Sequence, residues 1–203
     1  MVPVPNNTKE RLVTTAMDLI WKSSYGSVSV DGICKAADVK KGSFYHFFPS
    51  KISLAVAALE EAFDEFRPML DEVFSPVNTP IERFEKYVEM GISCQKDITE
   101  QYGMVCGCPF ISLGSEMAPQ DESIRQKTYD IIVHHKKYYE LTLRDMVANG
   151  DLNEDVDVTV IADQIYAYIM GQFVMARISN SLDMFNRDFR SGVFRIIGIE
   201  DNS

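Results

Sequence analysis

The chain has 203 residues, 46% of them hydrophobic, enough to bury the core of one larger domain or two small ones. No apolar run reaches transmembrane length, and the opening MVPVPNNTK lacks the apolar centre of a signal peptide, so a cytoplasmic protein with no membrane partner is expected. A formal charge of −10 argues against non-specific attraction to polyanions, but the charge is uneven: residues 1–51 hold seven Lys and Arg against four Asp and Glu, a net +3, and the remainder carries −13.

In chain order, residues 9–24 place Leu12, Val13, Ala16, Leu19 and Ile20 on one stripe, which predicts a helix closed by Gly26. Residues 29–51 read SVDGICKAADVKKGSFYHFFPSK. Ser29 is a good N-cap for a short helix whose apolar face is Val30, Ile33, Ala36 and Ala37. Asp38 breaks that pattern and Val39 resumes it, so the chain turns there. A second short helix starts with Lys40 and Lys41. Gly42 lets backbone approach a partner closely, Ser43, Tyr45 and His46 offer polar tips, and Phe44, Phe47 and Phe48 supply the apolar face. Pro49 stops this helix, Ser50 caps the next, and Lys51 sits in its first turn. Lysines at helix starts oppose the macrodipole, so Lys40, Lys41 and Lys51 serve an anionic partner better than they serve stability.

This helix–turn–helix pattern is what a protein needs to lay one helix end in the major groove of DNA. Val39 to Lys51, with Gly26 and Ser29 upstream, resembles the helix-turn-helix of the TetR-type transcriptional repressors, V-x-K-G-x-[FL]-Y-x-[HY]-F-x-[SN]-K. The resemblance covers about a quarter of the chain. It implies that Lys41, Gly42, Tyr45 and His46 belong to the recognition helix, and that Ser29, Ser43, Tyr45 and Lys51 touch phosphates, with Lys40 beside them. Asp31 suits an anionic partner poorly and receives no such role.

The rest reads as helices: Ser50 to about Phe74, ended by Ser75-Pro76; Thr79-Pro80 onward through Phe84, Tyr87, Val88 and Ile92; a glycine-rich break from Gly103 to Gly107; Pro109 to Met117; a long helix capped by Asp121, carrying Ile124, Thr128, Ile131, Tyr138 and Leu141 and stopped by Asn149-Gly150; one begun by Asp155 or Asp157; and a last from near Leu182 to Ile197. The expected fold is all-α, about nine helices, with a three-helix head (1–51) and a helical effector-binding and dimerisation body (52–203). Ile165, Tyr166, Tyr168, Ile169, Met170, Phe173, Val174 and Met175 oversupply one core face, which points to a two-fold homodimer through the last two helices, as in proteins of the resembled family.

Within the body, Gly107-Cys108-Pro109 is similar to a segment of one branch of that family, with Ser112 where Asn is usual. Tyr87, Phe110, Tyr129, Tyr138, Tyr166, Met170 and Phe173 are candidates to line a small-molecule effector site, with Cys106 and Cys108 beside them. Cys108, ahead of a helix start, is also a candidate reactive thiol, which would make the chain a sensor of oxidants or electrophiles. The C-x-C spacing and the lack of a second pair argue against a metal drawn from Cys94, Cys106, Cys108 and His134 or His135, and four cysteines in a cytosolic chain argue against structural disulfides. No cofactor and no catalytic residue are expected. A helical cysteine enzyme would need a base beside Cys106 or Cys108, and neither it nor a helical adaptor explains Lys40 to Lys51. The reading that accounts for all of these is a ligand-responsive regulator that binds an inverted-repeat operator in double-stranded DNA as a dimer.

Overall fold

The computed structural model describes residues 7 to 199, and among these it holds nine α-helices and no strand. They are α1 (Thr8–Lys22), α2 (Val30–Ala36), α3 (Lys41–Phe47), α4 (Lys51–Val73), α5 (Pro80–Tyr102), α6 (Pro109–Met117), α7 (Glu122–Asn149), α8 (Val158–Ser179) and α9 (Asp183–Ile197). The expectation of no signal peptide, and the start of the expected head, fall largely on residues outside the described ones.

Two compact units emerge: Met1–Phe66 with Pro109–Ile131, and Arg67–Cys108 with Ile132–Ser203. Compactness divides the chain elsewhere than at residue 51 because α4 and α7 each lend one end to each unit. At 1.5 Å per residue these helices run roughly 35 and 42 Å, longer than one small core requires.

The helix ends follow local chemistry. Asn7 caps α1 and Thr79 with Glu82 forms a reciprocal capping box on α5. Ser50 and Ser53 exchange the same pair of side-chain-to-backbone bonds at the start of α4. Asp121 and Asp157 accept the first amides of α7 and α8.

In the first unit α1 packs against α2, α3 and α6 through Leu12, Val13, Ala16, Met17 and Ile20. Leu19, expected on that stripe, is only half-buried and Met17 takes its place; α1 ends at Lys22, so Gly26 lies in the following turn rather than at the helix end.

In the second unit α9 packs on α8 and α5, burying Phe185, Phe189, Val193, Phe194 and Ile197. Gly192 is required there: a Cβ would stand 2.0 Å from the Tyr168 hydroxyl, which donates to the Asp188 carbonyl. Arg83 of α5 is buried, donating to the Ser75 and Asn78 carbonyls of the α4–α5 connection at 3.2 and 3.1 Å and to the Asp145 carboxylate on α7. By length and composition α8 could cross a membrane, a property hidden in the sequence by Asp163, Gln164 and Gln172. Its buried face is Ala162, Ile165, Tyr166, Ile169, Met170 and Ala176. Val160, Val174, Met175 and Ile178 stand exposed.

Candidate functional site

The α2–α3 pair forms as its punctuation directs. Ser29 Oγ accepts the Gly32 amide at 3.0 Å, fixing the start of α2. Its buried face differs from expectation: Ile33, Cys34 and Ala37 are inside, Val30 is half-buried and Ala36 is exposed, because a two-turn helix presents too little surface to cover a full stripe. At the C-terminus Asp38 adopts φ 52, and the Asp38 and Val39 amides donate to the Lys35 and Cys34 carbonyls at 3.3 and 2.9 Å. This is a Schellman ending with Asp at a position that suits Gly.

Lys40 is the N-cap of α3 and supplies no side-chain cap. Phe44 is wholly buried and Phe48 nearly so, which locks α3 in place. Phe47, expected inside, is 39% exposed because seven residues of helix turn it away from the side Phe44 occupies. Lys40, Lys41, Gly42, Tyr45 and His46 all face outward, Ser43 is half-buried, and the Tyr45 ring packs edge-on to Phe44 with centroids 5.1 Å apart. Gly42 has open space where a Cβ would go.

Two lysines are committed within the chain. Lys41 pairs with Asp31 of α2 at 2.7 Å, and the hydrogen bond to that carboxylate raises its pKa. Lys51, expected to reach a phosphate, is half-buried instead. Its ammonium donates to the Tyr25 and Val28 carbonyls at 2.8 and 2.7 Å and lies 3.8 Å from the centre of the Tyr25 ring; burial lowers its pKa.

The second unit gathers part of the expected effector set. Tyr87 of α5, His135 and Tyr139 of α7, and Tyr166 of α8 form one buried polar cluster. The Tyr87 and Tyr139 hydroxyls lie 3.0 and 3.2 Å from His135 Nε2. Burial, reinforced by His134, pushes His135 down to about 3, so its ring is neutral. Burial likewise raises Tyr87, Tyr139 and Tyr166, with Cys108 close enough to add to each. The cluster is thus a set of neutral donors and acceptors in an aromatic surround.

Cys108 is half-buried, whereas Cys106 is sealed and its carbonyl accepts from Arg177 at 3.0 Å. Burial, then Asp97, raises the Cys94 thiol. Met170 is buried on α8, and Phe173 stacks on Phe185 with centroids 5.3 Å apart.

Three expected members lie elsewhere. Tyr138 sits at an edge, its hydroxyl donating to Asp71, and is raised to about 12, by burial first. Phe110 belongs to the first unit, where its ring meets Phe63 and Phe66. Tyr129 is 56% exposed. Sequence reading considered His135 only as a discounted metal ligand or base, and missed Tyr139 and Gln95, a buried residue whose Nε2 donates weakly to the Gly107 carbonyl at 3.5 Å. The i, i+4 spacing of His135 and Tyr139 was the available signal, overlooked because Tyr138 and Leu141 were assigned to the inner face; Leu141 is in fact 57% exposed. Among the described residues no three of His, Cys, Asp and Glu stand close enough to share a metal ion.

The model for bacterial regulatory proteins of the tetR family matches residues 12–58, and that for the tetracyclin repressor-like C-terminal domain matches residues 80–191. The transcriptional regulator AcuR of Cereibacter sphaeroides is 27% identical over 184 residues, 89% of this chain and 82% of that protein. The transcriptional repressor NemR of Escherichia coli K12 is 28% identical over 123 residues, 59% of each chain. The crystal structure of a regulatory protein TetR from Rhodobacter sphaeroides superposes with a TM-score of 0.80 at 25% identity, covering 94% of this chain and 97% of that one.

Proposed function

Since the chain belongs to the TetR family of transcription regulators, which are DNA-binding proteins and not enzymes, we propose that it is a cytoplasmic repressor that binds an inverted-repeat operator as a homodimer and leaves it when a small organic effector binds. Residues 1–51 would act as the DNA-binding head and 52–203 as the effector-binding and dimerisation body. The observation that carries this reading is α3. Phe44 and Phe48 anchor it, while Lys40, Gly42, Tyr45 and His46 project from its start and outer face without an internal task that requires them there. Nothing in the fold demands glycine at position 42, so its use is a close approach by something outside the chain.

Among the phosphate contacts, Ser29, Ser43, Tyr45 and Lys40 remain available. Lys51 supports the head from within. Lys41 reaches a base edge only by exchanging its bond to Asp31, an exposed pair of small energetic worth.

The dimer face would be the exposed ridge of α8, Val160, Ala167, Gly171, Val174, Met175 and Ile178, with Met184 of α9. Small residues at its middle allow close approach of a second copy. Two-fold symmetry then sets recognition helices one DNA turn apart, about 34–36 Å.

The neutral, aromatic-walled cluster around Tyr87, His135, Tyr166 and Cys108 favours an effector of small polar organic character. It shifts the equilibrium only if it binds the DNA-free state better than the bound one. A second reading, covalent sensing, rests on Cys108 alone, since Cys106 is wholly buried. Iodoacetamide labelling followed by mass mapping would favour it if Cys108 reacts first and DNA binding falls with labelling.

The main test is selection of duplexes from a random pool at low salt, followed by salt titration. The expected product is an inverted repeat whose affinity falls steeply with salt. Failure to enrich any duplex would refute the proposal.

A further inference from the structure

The turn joining α1 to α2 is held by two opposite charges from distant parts of the sequence. Glu116, half-buried on α6, accepts the Tyr25 amide at 2.8 Å and the Gly26 amide at 2.7 Å, one on each carboxylate oxygen. Lys51, at the start of α4, donates to the Tyr25 and Val28 carbonyls of the same turn. A Cβ at Gly26 would stand 3.2 Å from Glu116 Oε1, so glycine gives the carboxylate its close approach. Tyr25 is buried beneath the pair and carries the ammonium on its ring face.

Four backbone groups of one turn are therefore fixed by two ionised side chains, and charge-assisted bonds are roughly twice as strong as neutral ones. The turn runs directly into Ser29, which caps α2, and α2 packs on α3. The turn thus bears, through α2, on where the outward face of α3 points, while α1 supports α3 directly. The α6 helix begins at Pro109, immediately after Cys108.

We propose that Glu116 is a positioning residue for DNA binding, holding the α1–α2 turn so that α6 sets the placement of the recognition helix. This rests on the DNA-binding reading above. Glu116 itself touches no base or phosphate in this account; it acts through the Tyr25 and Gly26 amides.

The test uses the full chain and the duplex that the wild-type protein selects from a random pool. Glu116→Gln keeps the shape but sets an NH2 group against one of the two amides. It should weaken binding about tenfold, the worth of one charge-assisted bond. The salt dependence should stay unchanged because no phosphate contact is lost, whereas Lys40→Ala should weaken binding and flatten the salt slope together. Hydrogen exchange should quicken at the Tyr25 and Gly26 amides in Glu116→Gln. Lys51→Met, which releases the turn from the other side, should reproduce the affinity loss. If Glu116→Gln unfolds the chain, Glu116→Asp, one methylene too short to reach both amides, gives the same reading. Binding within twofold of wild type in these variants would overturn the proposal, as would an unchanged exchange rate at the turn. A wild-type chain that selects no duplex would instead overturn the DNA-binding reading itself.

Discussion

The two compact units handle polar chemistry in opposite ways. The first turns it outward: Lys40, Gly42, Tyr45 and His46 stand on a short helix whose inner face is Phe44, and two of the unit's half-buried charges, Glu116 and Lys51, hold the backbone of one turn. The second turns it inward: Tyr87, His135, Tyr139 and Tyr166 hide neutral hydroxyls and an imidazole among aromatic rings, and its most buried charge, Arg83, is spent on two carbonyls and one carboxylate. Recognition of a polyanion wants charge in water, where it can exchange counterions. Recognition of a small molecule wants a few fixed polar groups in a dry surround, where each counts for more.

Variants can break this contrast, and the largest effect belongs to a neighbouring pair on α3. Phe44→Ala should cost about 4 kcal/mol in urea unfolding, the range for deleting a fully buried Phe. Tyr45→Ala, at a residue 52% exposed, should leave stability within about 0.5 kcal/mol while weakening DNA binding to all sequences. Equal stability losses at the two positions would erase the distinction between an anchoring and a presenting face.

Arg83→Ala should cost about 2 kcal/mol by the same measurement, since it removes a buried side chain and leaves the Asn78 carbonyl without its donor, while the Ser75 carbonyl keeps the Asn78 amide and Asp145 is solvated. No comparable loss is expected from Lys41→Ala, whose pair with Asp31 is solvent-exposed.

The inward cluster makes stability depend on pH. The folded value for His135 lies near 3, below the ordinary value near 6.5, so the unfolded chain binds a proton there that the folded chain refuses. Its contribution is complete above about pH 6.5 and is lost as pH falls, at up to roughly 1.4 kcal/mol per pH unit toward 3. Unfolding free energies measured between pH 7 and 5 should show this slope, and His135→Gln should remove it.

The smallest effects sharpen the outward half. Gly42→Ala should raise stability by up to about 1 kcal/mol, because the site is open and alanine favours helix, yet it should weaken binding to the selected duplex. Asp38→Gly should stabilise by about 0.5–1 kcal/mol through its left-handed backbone, with DNA binding unchanged.

Helix ends were readable from the chain because capping is local: Ser29, Ser50, Thr79, Asp121 and Asp157 each bond within three residues of themselves. The helix-turn-helix pattern was readable for the same reason, its turn being a short-range arrangement around Asp38 and Val39. Face assignments failed where a helix is short or apolar on several sides. Phe47 and Ala36 lie on two-turn helices, where one residue of rotation decides burial, and Leu141 lies on a helix whose inner stripe is His135, Tyr139, Thr142, Leu143 and Met146.

The residues by themselves determined the all-helical class, the nine segments and most of their starts, and the head that resembles a known DNA-binding family, because caps, breaks and periodicity act over a few positions. Only the tertiary structure decided that Lys51 turns inward to a turn 23 residues upstream, that Glu116 meets amides 90 and 91 residues away, and that Phe110 joins different rings from those of Tyr87. Those outcomes depend on which helix faces which, and no spacing along the chain encodes the partner of a side chain that bonds across the fold.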